Sequence, residues 1–233
     1  MLRALSVTAA VLSLAACAPR ATLPDADRER IARELEGQQR YLRVAAFSAP
    51  LWGDRERMLL TAQPVAELDL VNKTGGTPVV PPSAQRVLLP GTPVRVVRVE
   101  FPTGWLIAKR VVMSPRYHPW VYVAVPGETR PHVVVISQSA ATFEDVRDEL
   151  EGMLADDDTG PALRALPPEQ QAAIARKELV DGMNSRALEM AWGLPEKKRI
   201  DRPAGTEEWT WPGAKRRAFL RDDRLVRWES PRP

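Results

Sequence analysis

The chain has 233 residues, of which 44% are hydrophobic, 27% charged and 6% aromatic, and its formal net charge is +3. That balance describes a globular protein, not a disordered tail or a collagen-like fibre, and the length allows one large domain or two small ones. One cysteine and two histidines leave little material for an intrachain disulfide or a closed zinc site, and the small net charge points to neither nucleic acid nor a strongly acidic substrate.

Residues 1–16 read as a signal peptide. Arg3 supplies the positive start, an apolar run extends from Ala4 to Leu14, and Ala15 and Ala16 are the small residues that precede a cut. The run is too short to span a membrane as a helix, and no later stretch is long and apolar enough to do so. The stretch Leu14-Ala15-Ala16-Cys17 resembles the lipobox of bacterial lipoproteins, and Cys17 is the only cysteine in the chain. The resemblance implies that Cys17 is lipidated with chains such as palmitate after the cut, so that the protein meets a membrane through this anchor. Several acyl chains, at about 0.8 kcal/mol per buried CH₂, hold a protein at a bilayer almost permanently. Ala18 stands where an inner-membrane retention signal would place Asp, which by the same analogy favours the periplasmic face of the outer membrane in a Gram-negative cell.

Residues 17–24 form the lipidated tether, and its last seven residues reach at most about 25 Å. An N-terminal helix is predicted within 25–50, with Asp25 as cap and Ile31, Leu35, Leu42 and Ala46 near one face. It either packs on the body through this narrow stripe or lies on lipid headgroups; the mixed charges of its other face favour packing.

Residues 51–140 read as a small antiparallel β-barrel domain. Strands are predicted at 58–61, 67–71, 86–89, 94–101, 106–113, 120–125 and 132–137, separated by Gly and Pro turns. Trp52 and Trp105, each beside a Gly, are expected core anchors. The run Val133-Val134-Val135-Ile136 does not alternate, which predicts a strand covered on both faces. Leu89-Pro90-Gly91-Thr92-Pro93-Val94 resembles the turn that opens a strand in bacterial Src-homology-3-like barrels.

Residues 141–166 carry a connecting acidic helix. Thr142 and Asp145 make a capping-box pair, and Phe143, Val146, Leu150 and Met153 form its stripe. The span 144–158 holds eight acids and one base. Asp156, Asp157 and Asp158 are contiguous, not alternating as a calcium loop requires, so no metal site is expected.

In 167–233, a helix opens at Pro167-Pro168 and closes by Gly182. A second short helix is capped by Asn184 and closed by Gly193 and Pro195. Strands at 197–201, 207–211 and 217–221 follow, with 224–229 as a fourth or a return arm. Gly182-Met183, Trp192-Gly193-Leu194-Pro195, Trp209-x-Trp211 and Phe219 resemble the BamE-like (SmpA/OmlA) module, which implies two helices and a three-stranded antiparallel meander. Gly182, Met183, Trp192, Gly193, Pro195, Trp209 and Trp211 are the fold-motif residues. Trp211 stands where that family has Tyr, and Asn184 where it has Thr. The resemblance implies an envelope protein that binds another envelope protein without catalysis.

Candidate contacts to a ligand or partner are Arg116, Tyr117, His118 and Trp120, where aromatics can stack on a glycan and Arg can pair an acid. The alternative is a barrel loop whose aromatics pack inward. His132, at a strand start, is expected to be partly buried and bonded to backbone. Neither a nucleophile elbow nor a phosphate-binding loop is present, so no catalytic residue and no cofactor are expected. The basic clusters 197–199 and 215–217 make the C-terminal part positive, against the acid-rich helix. The overall expectation is an α+β, non-enzymatic, membrane-anchored docking module of the cell envelope. The alternative is a module that binds peptidoglycan or another glycan.

Overall fold

The computed structural model describes residues 23–73 and 76–231. The predicted signal peptide, the predicted lipidation site Cys17 and the predicted tether up to residue 22 lie outside the described residues. No helix among the described residues is long and apolar enough to cross a membrane.

The fold is α+β, with one eight-stranded and one four-stranded sheet. Helix α1 (Asp25–Glu34) occupies only the first part of the helix predicted in 25–50, and it is preceded by Pro24 rather than capped by Asp25. The chain then forms strands β1 (Gln39–Leu42) and β2 (Ala46–Pro50). Leu42 and Ala46, counted on a helical stripe, instead enter the core from these strands. Pairing with neighbouring strands overrides the weak apolar spacing: β1 bonds on both sides, and β2 does so as well.

The remaining strands of this sheet are β3 (Met58–Thr61), β4 (Arg86–Leu88), β5 (Pro93–Glu100), β6 (Trp120–Ala124), β7 (His132–Val135) and β8 (Leu154–Ala155). Their order is β4-β2-β3-β7-β6-β5-β1-β8, with every pair antiparallel except β3 and β7. The sheet curls into a half-barrel whose free edges are β4 and β8, and it recruits strands from both sides of the 51–140 span. Two predicted strands are absent. Residues 65–67 form a 3₁₀ turn followed by loop. The 106–113 segment yields helix α2 (Gly104–Lys109), because Thr103 Oγ1 accepts the Leu106 N–H and starts a turn that β-propensity does not anticipate. On α2 the buried residue is Ile107, whereas Trp105 is 69% exposed and no core anchor. Trp52 is buried, its indole N–H donating to the Val79 carbonyl at 2.6 Å.

Strand β7 is covered on both faces, as its apolar run requires. Val134 and Ile136 join the core under α1 and helix α3 (Phe143–Glu151), while Val133 joins a second core with Leu51, Trp52, Leu68 and Trp120. Helix α3 carries the full capping box: Thr142 Oγ1 accepts from the Asp145 N–H, and the Asp145 carboxylate accepts from the Thr142 N–H.

Helices α4 (Gly160–Arg164), α5 (Pro168–Arg176) and α6 (Ser185–Trp192) lead into the second sheet. This is a meander of four strands, not three: β9 (Lys197–Asp201), β10 (Thr206–Thr210), β11 (Arg217–Arg221) and β12 (Arg224–Glu229). Helix α5 closes at Lys177, well before Gly182, with Lys177 in the left-handed conformation at φ 55°. Between them, α5, α6 and the meander hold a third core around Ile174, Leu188, Trp209 and Trp211. Ala45, between β1 and β2, belongs to this core, and its N–H donates to the Met190 carbonyl at 2.7 Å. The C-terminal elements therefore pack directly on the large sheet.

Candidate functional site

The four residues singled out at 116–120 divide by position. Trp120 starts β6 and is fully buried, and His118 is buried beside it. The Arg110 guanidinium lies 3.8 Å from the Trp120 ring centroid and donates to the carbonyls of Arg116 and His118 at 3.0 and 2.8 Å. It also pairs with Glu100 at 2.9 Å, and Glu100 accepts from Tyr122 Oη at 3.0 Å. His118 Nδ1 lies 2.9 Å from the Ile136 carbonyl. Burial pushes the His118 pKa down, and it pulls Arg110 down against the opposing pull of Glu100. This is an inward brace for the loop. Only Arg116 and Tyr117, bonded to each other at 2.9 Å, keep part of their side chains at the surface.

His132 bonds to a side chain, not to backbone: Nε2 lies 2.9 Å from Ser48 Oγ. The pairing has the outline of a nucleophile and its base. Both residues are nevertheless buried, and Nδ1 has no partner to orient the ring. The pair ties β2 to β7 across the intervening β3. No group of three or more His, Cys, Asp or Glu able to hold a metal occurs among the described residues.

The residues of the Gly182–Trp211 pattern do converge. Gly182 takes φ 75°, and its N–H donates to the Leu225 carbonyl at 2.9 Å. Met183 is fully buried. Gly193, at φ 85°, ends α6, and its carbonyl accepts from Trp211 Nε1 at 3.1 Å. A β-carbon there would meet Ala62, so Gly satisfies both the turn and the close approach to the large sheet. Pro195 follows at the surface and prevents the helix from resuming. Trp192 and Trp211 meet edge to face at 5.1 Å, and Trp209 lies 6.2 Å from Trp211. These residues build a core rather than a binding face.

A hollow of about 790 Å³ lies where the C-terminal elements meet the large sheet. Two buried cations line it. Lys177 is 7% exposed, and its Nζ donates to the Ala45 carbonyl. Arg216 is 3% exposed and donates from Nε to Glu67 at 3.0 Å. Burial, reinforced by the charge of Arg216, holds the Lys177 amine well below the usual lysine range. Burial also lowers Arg216, opposed by Glu67. Trp192 links the two, its indole N–H donating to the Lys177 carbonyl at 3.2 Å while its ring lies 5.2 Å from the Arg216 guanidinium. In the sequence, 215–217 is legible only as a basic cluster, and Lys177 and Glu67 carry no functional signal. No signal within those segments brings them together, because they meet only when α5, β11 and the 62–84 loop pack. Arg217, by contrast, pairs with Glu208 and Glu229 on neighbouring strands, as a solubilising strand charge does.

No protein-family model, no curated protein and no solved structure matches the chain.

Proposed function

We infer that the protein is a lipoprotein of the bacterial cell envelope, anchored through Cys17, that docks another envelope protein and catalyses no reaction. The observation that carries this reading is the position of the only cysteine, directly after Leu14-Ala15-Ala16. Ala18 supports the periplasmic face of the outer membrane as its place. Leu23, six residues after Cys17, is packed in the core, so a short tether would keep the body close to the bilayer. The BamE-like resemblance of 167–233, with two helices before an antiparallel meander, supports a docking role. So does the fully exposed strand β9 at one edge of that meander, where a partner strand can add. The Src-homology-3-like reading of the middle region rests on the Leu89–Val94 turn alone. Replacing Cys17 by Ser tests the anchor: acyl labelling should vanish and the protein should leave the membrane fraction. Retention of both label and membrane would refute it. Crosslinking in intact cells then tests docking.

The glycan reading draws less support, because His118 and Trp120 are turned inward and only Arg116 and Tyr117 remain to meet a sugar. Purified sacculi should therefore fail to retain the protein. Retention that is lost on Tyr117→Ala would favour the glycan reading instead.

A further inference from the structure

We propose that the hollow between the C-terminal elements and the large sheet is a binding site for a monoanionic carboxylate with an apolar body, its head held by Lys177 and Arg216 and its body by Phe47, Leu179 and Trp228.

Charge and donor count argue for the head. The hollow is lined by three cations, Lys177, Lys215 and Arg216, and by two carboxylates, Glu67 and Glu178. Both carboxylates are engaged already: Glu67 holds Arg216, and Glu178 pairs with Arg176 at 2.7 Å. Among the described residues Lys177 has no carboxylate partner, and its one acceptor is the neutral Ala45 carbonyl. An ammonium has three donors, so two are unspent. Arg216 Nη1 is buried without an acceptor. Leaving buried charged donors unpaired is costly, and a carboxylate in the hollow that both side chains line would offer them an acceptor. Glu67 offsets Arg216, and of the two lining lysines left over Lys215 is exposed, so the buried surplus is the single charge of Lys177, which a monoanion cancels and a dianionic phosphate overshoots.

The walls argue for the body. Phe47 lies below Lys177, with the amine 5.2 Å from its ring centroid. Trp228 and Leu179 line the same hollow. At about 790 Å³ the hollow is large enough for a ligand of drug-like size, and apolar walls with a few convergent polar groups are the usual composition of such sites. This inference does not rest on the anchoring or docking reading.

Calorimetric titration of the full-length protein with 4-phenylbutyrate tests it, with 4-phenylbutanol and phenyl phosphate as comparators on the same protein. The acid should bind with a Kd below about 1 mM, and both comparators at least about tenfold more weakly, since one paired buried charge is worth that factor or more. Lys177→Met, which keeps the volume and removes the charge, should fold and lose the binding. Equal binding of acid and alcohol would overturn the proposal, as would unchanged binding by folded Lys177→Met. No heat with the acid up to about 10 mM at either of two temperatures would overturn it too, an affinity under about 3 kcal/mol being no site at all. Should Lys177→Met fail to fold, the comparison of the three ligands on the unaltered protein decides by itself.

Discussion

A β-carbon on Gly91 would stand 2.5 Å from both the backbone nitrogen and the Cα of Gly160. The turn before β5 and the start of α4 thus touch backbone to backbone. Gly91 also sits at φ 84°, and its N–H donates to the Leu42 carbonyl at 2.7 Å, an oxygen that Thr159 Oγ1 reaches from the other side. Gly91→Ala meets a steric clash and a left-handed backbone together. We expect a loss of about 2–4 kcal/mol in urea unfolding with an unchanged slope. A loss under about 0.5 kcal/mol would mean that the two backbones are not in contact.

The buried Ser48–His132 pair predicts acid sensitivity. Desolvation dominates, with Arg86 and Arg130 adding to it and Glu128 opposing, and the His132 pKa falls from 6.5 to about 4. A depressed value means that the unfolded chain takes up the proton first. Stability is therefore full above about pH 6.5, falls as the pH drops toward 4 and is flat below, a total of on the order of 3 kcal/mol from this group. In His132→Leu that segment of the stability curve should flatten. An identical pH profile in the variant would remove His132 as the cause.

Lys177 predicts the opposite end of the pH scale. Its pKa is depressed by burial and by Arg216, so between the folded value and the ordinary lysine value the unfolded chain binds more protons. Stability rises with pH through that window, while Lys177→Met, free of a buried amine, lacks this rise. At neutral pH the variant should equal or exceed the parent in melting temperature. A variant less stable by more than about 2 kcal/mol would show that the Ala45 bond outweighs the desolvation cost.

The buried Arg216 pairs at 3.0 Å with the partly buried Glu67, which joins the 62–84 loop to the second sheet. Glu67→Ala leaves a buried guanidinium without its counter-charge, for a predicted cost of about 3 kcal/mol. Amide exchange should quicken first in β11 and in the 3₁₀ turn at 65–67. Uniform quickening over both sheets would mean that the pair does not act locally.

Local chemistry was enough for much of the chain. Thr142 with Asp145, Asn184, Gly193 and the β3, β6 and β9–β12 segments declare themselves within a few residues, because a cap bonds within its own turn and a strand's residue types and flanking turn residues are local signals, whatever partner it later pairs with. Segments whose partners are distant did not. Residues 39–50 have an apolar spacing that suits a helix, yet they became β1 and β2 because β5, β3 and β4 offered edges to pair with. Thr103 converted an apparent strand into α2. The residues around Trp105 suggest a core anchor and those around Trp120 a contact, and packing reversed both, sending Trp105 outward and Trp120 into the core. The sequence by itself determined the α+β class, the capped helices and the candidate anchor at Cys17. The tertiary structure alone decided the eight-stranded order, the inward turn of His118 and Trp120, and the meeting of Lys177 with Arg216. The physical reason is that charge pairing and burial across more than a hundred residues depend on where surfaces land, which no local pattern encodes.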